Sequence, residues 1–512
     1  VRCAKNSVGR CSMAELLLAP RGYVSTKPLD TLEYRRHTNV AVIGGGVAGL
    51  AAARVLSNDK LNRFLVQVYE AKRERYGGRV WTKRNLSANS KEIEADLGAM
   101  FLNSKIKDNP LIELVQKFEI EKDSIGPLEF YTSGNSKTHH GPDLMEAMRK
   151  AKELMLSAIE KAKKKGKDIS VRDAVNQEIF EQGLEENSLA TVIIKALPSY
   201  NIKDYSALLY APDQLDFGFD TIVKFGLAEL VDRIVGGFEA EAPLDINLRH
   251  VVRQIKVDDK REQILVRFRD GHQISVDAVI LAVPLTVLQN DSLLFEPPLP
   301  KEFYKTFHEL KFRQSERIVI EFDEMFWPQD KGMFVMTPEQ SSDAGVLTTW
   351  INLYKVNNKA HLAGLIGHHA VDKFYSMTDE TLTDIALNRL KKLFGDDVVQ
   401  QRNVTNILRS DWLKSLHIGG SGSYPSVGNT RELWDVFDLP VCPGIYFAGE
   451  YTTFDGVGTL HGAYNSGVRA AEALMSGYCE QKAIREEQKL QEKNLTASEK
   501  SNKTVDSKKD EL

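Results

Sequence analysis

The feature that most constrains this chain is a glycine-rich turn that directly follows a short apolar run. The run is Val40 to Ile43, and glycine then stands at three fixed positions, Gly44, Gly46 and Gly49. The first glycine permits a tight turn, the second lets the backbone approach a pyrophosphate, and the third lets the next helix pack closely on the strand. The N-terminus of that helix offers free N–H groups to phosphate oxygens. The pattern predicts a βαβ unit that binds a dinucleotide.

An acidic residue and a second glycine turn narrow the choice of dinucleotide. The apolar run Phe64 to Tyr69 predicts the second strand, and Glu70 follows it. A carboxylate there can accept hydrogen bonds from both ribose hydroxyls. A Gly-Gly-Arg turn comes next, at Gly78 and Arg79. Plain NAD dehydrogenases do not need this turn, whereas the bulkier FAD does, with Arg79 as a cation near the pyrophosphate. The segment therefore favours FAD over NAD.

A second glycine-rich segment lies near the other end of the chain. Gly449 and Glu450 follow the apolar pair Phe447-Ala448, and further glycines come after them. These glycines are Gly456, Gly458, Gly462 and Gly467. Together the two segments predict a cofactor that is enclosed from both ends of the chain.

From about residue 39 to residue 478 the chain resembles the FAD-dependent amine oxidase family, and most of all its polyamine oxidase branch. Besides the segments above, the matching motifs are Asp96-Leu97-Gly98-Ala99, Val283-Pro284-Leu285, Phe326-Trp327 and the run from His461 to Gly467. The resemblance implies oxidation of spermine, spermidine or their N-acetyl forms. Hydride would pass from the amine α-carbon to flavin N5, the imine would hydrolyse to an aldehyde and an amine, and O2 would be reduced to H2O2.

The resemblance also implies where the cofactor is held. The remaining cofactor-binding positions are Gly98, Ala99 and Met100 along the flavin, Val252 at the adenine, Glu450 at the ribitol or pyrophosphate, and Thr459 and Leu460 at the N1/O2 edge. Backbone N–H groups at that edge would stabilise negative charge that develops on reduction. Ser423 stands where monoamine oxidases carry the cysteine that links their flavin, so the FAD is expected to be non-covalent.

Three positions carry the substrate side of the resemblance. Tyr424 is expected to form one aromatic wall of the amine cage, because an aromatic face attracts a cation. Asn103 stands where some polyamine oxidases place a histidine or glutamate beside the amine. Arg317 occupies the position of the family's lysine that holds a water against flavin N5. An arginine cannot act as a neutral base there. The alternative is a shifted alignment in which Lys311 has this role.

Two other functions stay open. An L-amino-acid or monoamine oxidase is the first, although Phe101 stands where L-amino-acid oxidases place a carboxylate-binding arginine. The second is a flavin-containing binding protein with little turnover, for which Arg317 and Asn103 are the reason. The expected partners are a small-molecule amine and O2, and the oligomeric state stays open.

The patterns and the resemblance predict an α/β fold. It comprises a Rossmann-like FAD-binding domain, discontinuous in sequence, and a second α+β substrate-binding domain built on a mixed sheet and helices. We expect the first to contain residues 38–108, 230–299 and 440–478, and the second residues 109–229, mostly helical, and 300–439. Residues 1–37 would form a leader and residues 479–512 a polar tail.

Several elements can be located from local periodicity. Helical spacing of apolar residues predicts helices from Asp143 to Lys165 and from Thr378 to Phe394. Two strands, Ile264 to Phe268 and Ile274 to Ala282, are expected to form a hairpin across Asp270-Gly271.

Composition excludes some partners. The chain has 512 residues, 27% of them charged, and a net charge of −4, which gives no case for a nucleic-acid partner. It contains no apolar stretch long enough to span a membrane. Its four cysteines include no CxxC pair, so no metal site is expected. The spacing allows a Cys3–Cys11 disulfide in an oxidising compartment.

The two ends of the chain suggest where in the cell the protein resides. The last four residues, Lys509 to Leu512, are the retrieval signal of the endoplasmic reticulum lumen. The basic leader, with Arg2 and Arg10 among its cations, leaves a mitochondrion or another organelle as the alternative.

Overall fold

The computed structural model describes residues 37–84, 95–133, 137–211, 220–258, 263–290, 292–338, 345–479 and 481–482. The expected leader, the Cys3–Cys11 pair and the last four residues lie outside the described residues. So does nearly all of the polar tail.

The described part of the chain contains both strands and helices, in runs of either kind. In chain order the strands are β1 Thr38–Ile43, β2 Phe64–Tyr69, β3 Thr82–Lys83, β4 Ala95–Asp96, β5 Phe101–Leu102, β6 Lys122–Ser124, β7 Leu128–Thr132, β8 Lys137–His139, β9 Thr221–Val223, β10 Asp245–Asn247, β11 Val252–Asp258, β12 Gln263–Phe268, β13 Gln273–Val276, β14 Ala278–Leu281, β15 Leu294–Glu296, β16 Lys311–Arg313, β17 Glu316–Phe322, β18 Met333–Met336, β19 Val346–Asn352, β20 His361–Ile366, β21 Val404–Arg409, β22 Gly422–Tyr424 and β23 Ile445–Phe447. The helices are α1 Val47–Ser57, α2 Pro110–Lys117, α3 Gly141–Lys165, α4 Val171–Glu181, α5 Leu189–Ala196, α6 Pro198–Asn201, α7 Ala228–Gly236, α8 Leu285–Gln289, α9 Lys301–Glu309, α10 Tyr354–Asn357, α11 Val371–Ser376, α12 Asp379–Phe394, α13 Asp396–Gln400 and α14 Leu460–Met475.

A five-stranded parallel sheet is the centre of the cofactor half. Its strand order is β10-β2-β1-β14-β23, so segments from the beginning, middle and end of the chain pair side by side. In β1, Val42 lies opposite Val68 on one side and Ile280 on the other. Parallel strands are buried on both faces, which explains why β1 reads as a continuous apolar run. The predicted Rossmann-like βαβ unit, β1-α1-β2, is confirmed.

A seven-stranded mixed sheet forms the second half. Its order is β21-β17-β20-β19-β18-β7-β8, in which only the β18–β7 pair is parallel. Helices α3, α4 and α5 pack together on their own apolar core. The α/β class with a second α+β part is confirmed. The five strands of the first sheet come from the three segments expected for the FAD-binding domain, but the exact domain boundaries remain a prediction.

The boundaries of the two predicted helices agree with the structure to within two residues. Helix α12 begins after Thr378, whose side chain accepts a hydrogen bond from the N–H of Thr381. Helix α3 begins at Gly141, slightly earlier than predicted, because Pro142 in the first turn has no N–H that would need an intrahelical acceptor.

The predicted strand from Ile274 to Ala282 is wrong in one respect. It divides at Asp277 into β13, which pairs with β12, and β14, which pairs with β1 in the other sheet. Asp277 takes part in two hydrogen bonds with Asn39, one through its backbone N–H and one through its carboxylate. The alternating segment that ends at Asp277 passes directly into the apolar run from Ala278 to Ala282, and the tertiary contact shows that the two belong to different sheets.

Two further features concern the ends of elements and the surface. Cys442, before β23, forms a disulfide with Cys479, beyond α14, a pairing that was not predicted. No described helix combines the length and apolar character that a membrane crossing requires.

Candidate active site

A cavity lined by residues of both glycine segments opens at the carboxyl ends of the parallel strands. Ligands of open α/β sheets bind at this edge. The predicted cofactor residues that line it are Gly44, Gly46, Glu70, Gly78, Arg79, Ala99, Val252, Gly449, Glu450, Thr459 and Leu460.

The glycine turn fits a dinucleotide for reasons visible at each position. Gly44 has a φ of +110°, and a Cβ there would lie 2.6 Å from the carbonyl oxygen of Ala282. A Cβ on Gly49 would lie 2.0 Å from the carbonyl oxygen of Gly44, so helix and strand touch through glycine. In front of Gly46 a Cβ would meet only the Cα of Gly78, at 3.9 Å. This is ordinary van der Waals contact, so the two glycine turns pack against each other without side chains between them.

Glu70 is fixed at the end of β2 by two backbone donors. Its carboxylate oxygens accept hydrogen bonds from the N–H groups of Gly45 and Lys72, each 2.7 Å long. Lys72 and His417 also line the cavity beside it, and sequence reasoning gave neither a role. Burial lowers the pKa of His417, and nearby Lys72 adds to this, so the ring is neutral at pH 7. The only sequence signal for Lys72 was its place between Glu70 and the second glycine turn.

Arg79 and Glu450 join the two glycine segments. The Arg79 Nη1 atom lies 2.7 Å from Glu450 Oε1, across most of the chain's length. The other carboxylate oxygen accepts from the Ser423 hydroxyl and from the N–H of Gly458. Glu450 therefore lines the cavity as predicted, but all its described bonds hold the cradle together.

Helix α14 begins at the cavity wall. Thr459 is its N-cap, and its hydroxyl accepts from the N–H of Gly462 at 3.1 Å. The N–H of Thr459 donates to the carbonyl oxygen of Gly456. This N–H, which was expected to face the flavin, therefore already has an acceptor within the protein. Leu460 opens the helix, and a first-turn N–H has no intrahelical acceptor. Of the two expected donors, Leu460 is the one that the fold leaves available.

Six expected site residues do not line this cavity, namely Gly49, Gly98, Met100, Asn103, Arg317 and Tyr424. Gly98 lies in the wall behind Ala99, where a Cβ would be 2.0 Å from the carbonyl oxygen of Arg79. Met100 is buried in an apolar cluster behind that wall. Asn103 is part of a turn: its side chain accepts from the N–H of Lys105, and its carbonyl accepts from the Asn109 amide. The expected contact of Asn103 with an amine stays a prediction.

Tyr424 lies beside the cradle, next to Ser423. Its ring stacks on Tyr205 with centroids 5.6 Å apart, and its hydroxyl donates to Asp204 at 2.8 Å. Burial, the bond to Asp204 and the charge of that carboxylate raise the pKa of the phenol, which stays protonated. Tyr205 and Asp204 were missed, because they follow helix α6 without any recognisable motif.

Arg317 contacts the segment expected along the flavin, whereas Lys311 does not. The Arg317 Nη1 atom donates to the carbonyl oxygens of Asp96 and Gly98, both at 2.8 Å. Burial lowers the pKa of Arg317 to about 10, against the charge of Asp96, so the guanidinium remains charged at pH 7. Lys311 is exposed on β16. Among the described residues, no cluster of histidine, cysteine, aspartate and glutamate could hold a metal ion.

Known proteins resemble this chain over most of its length. It is 28% identical to polyamine oxidase 3 of Oryza sativa subsp. japonica, over 86% of this chain and 90% of that one. It is 27% identical to polyamine oxidase 2 of Arabidopsis thaliana, over 85% and 88%. The solved structure of putrescine oxidase bound to putrescine superposes with a TM-score of 0.68 at 18% identity, covering 86% of this chain and 99% of that one. At this low identity the superposition supports the fold alone.

The family model for flavin containing amine oxidoreductases matches residues 47–475, a range that begins just after Gly46 and includes the second glycine segment. Both cysteines within the described ranges, Cys442 and Cys479, are bonded to each other, so neither has a thiol for a flavin linkage. The chain therefore belongs to the flavin-containing amine oxidoreductases, and its cofactor is FAD held without a covalent bond.

Proposed function

We propose that this chain is a polyamine oxidase that acts on spermine, spermidine or their N-acetyl forms. The observation that carries the proposal is the group of Tyr424, Tyr205 and Asp204 beside the cofactor cradle. Aromatic faces and a carboxylate are the groups that recognise an aliphatic ammonium. The similarity to polyamine oxidases of rice and Arabidopsis supports the same substrate class.

In this proposal the protein residues have two roles, which are to bind the amine and to exclude water. Asp204 is half-buried and would attract a protonated amine of the polyamine, and the buried rings of Tyr424 and Tyr205 stack on each other beside it. FAD, when bound, supplies the electron acceptor: the amine loses hydride from its α-carbon, water hydrolyses the imine to an aldehyde and an amine, and O2 takes the two electrons to give H2O2. Arg317 keeps its proton at neutral pH, so it is not the base, and the reacting nitrogen has to be neutral on arrival.

Substrate class is tested by mixing the yellow protein with amines in the absence of oxygen. We expect spermine, spermidine or N1-acetylspermine to bleach the flavin, and admission of air to produce peroxide. In Asp204→Asn the amide still accepts from Tyr424 but loses its charge. The KM for a polyamine should rise about tenfold to a hundredfold, while the KM for a monoamine changes little.

Two results would contradict the proposal. If only L-amino acids yielded peroxide, the chain would be an amino-acid oxidase. If no amine bleached the flavin of a folded, yellow protein, a binding protein with little turnover would be the better interpretation.

We propose further that the protein resides in the lumen of the endoplasmic reticulum. The C-terminal retrieval signal motivates this, and the Cys442–Cys479 disulfide supports it, because disulfides persist mainly in oxidising compartments. A chain without residues 509–512 should escape to the medium, whereas the full chain should co-localise with a lumenal marker. Unchanged retention of both forms in mitochondria would exclude the lumen.

A further inference from the structure

The backbone from Asp96 to Gly98 is held from behind by two side chains. Arg317 Nη1 donates to the carbonyl oxygens of Asp96 and Gly98, each at 2.8 Å. The carbonyl between them, that of Leu97, accepts from the indole N–H of Trp412 at 2.9 Å. Three successive carbonyls are thus fixed by donors that come from β17 and from the loop after β21.

The opposite side of the same segment contacts the cofactor cradle. The N–H of Ala99 donates to the carbonyl oxygen of Arg79 at 3.0 Å, and the N–H of Leu97 donates to Trp81 at 2.8 Å. Ala99 itself lines the cavity. A Cβ on Gly98 would lie 2.0 Å from the Arg79 carbonyl oxygen and 3.1 Å from the Trp412 ring, so a side chain at this position would collide with the cradle. The segment therefore connects the cofactor cavity to the sheet of the other half.

Glu316 determines where Trp412 lies. Its carboxylate is buried and accepts from the Tyr375 hydroxyl at 2.7 Å and from the N–H groups of Trp412 and Leu413 at 3.1 and 2.9 Å. It also accepts from the hydroxyl of Ser410, which in turn receives the N–H of Arg317. Two adjacent residues of β17 therefore determine the donors to this segment. Arg317 supplies one donor itself, and Glu316 holds the loop that carries the other donor, Trp412.

We propose that Glu316, Arg317 and Trp412 are positioning residues that hold the Asp96–Ala99 segment in place beside the FAD. The inference rests on the proposed function, in which this segment runs along the flavin. The described hydrogen bonds of the Arg317 side chain all go to backbone carbonyls. The side chain therefore acts on the cofactor through Gly98 and Ala99. The same geometry explains how an arginine can serve at this position: it supplies a fixed charge and donors, and no proton acceptor is required of it.

The test compares variants that remove a donor to the Asp96–Ala99 segment with a control variant of a tryptophan elsewhere in the protein. Trp412→Phe removes the indole N–H that binds Leu97, and Arg317→Met removes both donors to Asp96 and Gly98. Trp350→Phe is the control, because Trp350 is buried and its indole N–H has no hydrogen-bond partner among the described residues. Arg317→Lys is the conservative variant, which keeps the charge and a donor.

The readouts are the midpoint potential and visible spectrum of the bound FAD, the FAD Kd of the reconstituted apoprotein, and the anaerobic rate of flavin reduction. We expect Trp412→Phe and Arg317→Met to shift the potential and spectrum and to slow flavin reduction about tenfold or more, since small misplacements are costly. Arg317→Lys should recover part of the loss. Trp350→Phe should lower the unfolding midpoint and leave the potential, the spectrum, the FAD Kd and the rate of flavin reduction at wild-type values.

Wild-type potential, spectrum and reduction rate in Trp412→Phe would overturn the proposal, even if Arg317→Met failed to fold. A large gain in the rate of reoxidation by O2 in Arg317→Lys would also overturn it, because that would indicate a direct role beside N5. If no amine reduced the wild-type flavin, the proposed function would fail, while the potential and spectrum would still test the positioning role.

Discussion

At the scale of single residues, Asp96 illustrates how burial changes the pKa of a carboxyl group. Its side chain is buried, and its carboxylate accepts from the N–H of Leu227 at 3.1 Å and from the hydroxyl of Thr82. Burial raises the pKa of Asp96 from 3.8 to about 6, with the bond to Thr82 and the charge of Arg317 acting in the opposite direction. Because its backbone carbonyl also binds Arg317, Asp96 couples the titration of a side chain to the wall of the cofactor cavity.

This pKa predicts a pH-dependent contribution to stability. Between pH 3.8 and about 6 the folded carboxyl keeps its proton while the unfolded one has released it, so the unfolded chain binds fewer protons. Stability contributed by Asp96 is therefore full below pH 3.8 and is lost as pH rises through 6, by about 3 kcal/mol in total. Asp96→Asn lacks the titration but keeps an acceptor.

The measurement is the free energy of unfolding in urea, for the wild type and Asp96→Asn, at several pH values from 4.5 to 7.5. The variant should gain stability relative to the wild type as the pH rises. A difference that stayed constant over this range would show that Asp96 does not titrate there.

At the scale of elements, the crossing of α1 and α14 brings the two glycine segments together. A Cβ on Gly467 would lie 2.0 Å from the carbonyl oxygen of Ala48 and 3.0 Å from the Cβ of Ala51. The two helices therefore meet with glycine between them. Since the first turn of each helix lines the cavity, their separation sets the width of the cofactor cradle.

Gly467→Ala is expected to push α14 away from α1. The overpacking should cost about 1–3 kcal/mol of stability and weaken FAD binding about tenfold or more. Titration of the apoprotein with FAD and urea unfolding give both quantities. Gly236→Ala is the matched control, because Gly236 ends α7 and has no atom within 4 Å of a built Cβ. It should bind FAD like the wild type, and an equal loss in both variants would contradict the role of the helix crossing.

At the scale of the whole molecule, the cofactor site depends on parts of the chain that are far apart in sequence. The pair Arg79–Glu450 spans 371 residues, and the contact of Arg317 with Gly98 spans 219. The disulfide ties Cys479, beyond α14, to Cys442, before β23, across 37 residues. A crosslink of this kind reduces the freedom of the unfolded chain, and here it does so next to the C-terminal glycine segment.

Local patterns in the sequence determined the elements and the cofactor class. The apolar run of β1, the glycines at 44, 46 and 49, and Glu70 predicted the βαβ unit, because strand burial, tight turns and ribose binding each need a particular residue at a short spacing. Helix α12 was predicted within one residue of its start for the same reason, since its apolar residues recur at helical spacing over short distances. Such short-range requirements leave a signature that can be read without knowing the fold.

Only the tertiary structure decided which surfaces meet. It separated β13 from β14 at Asp277, paired Cys442 with Cys479, directed Arg317 to two backbone carbonyls, and placed Asp204 and Tyr205 against Tyr424. Each of these contacts joins residues that are distant in sequence. Their energies depend on packing and burial, which arise when the chain folds and are therefore absent from any local pattern.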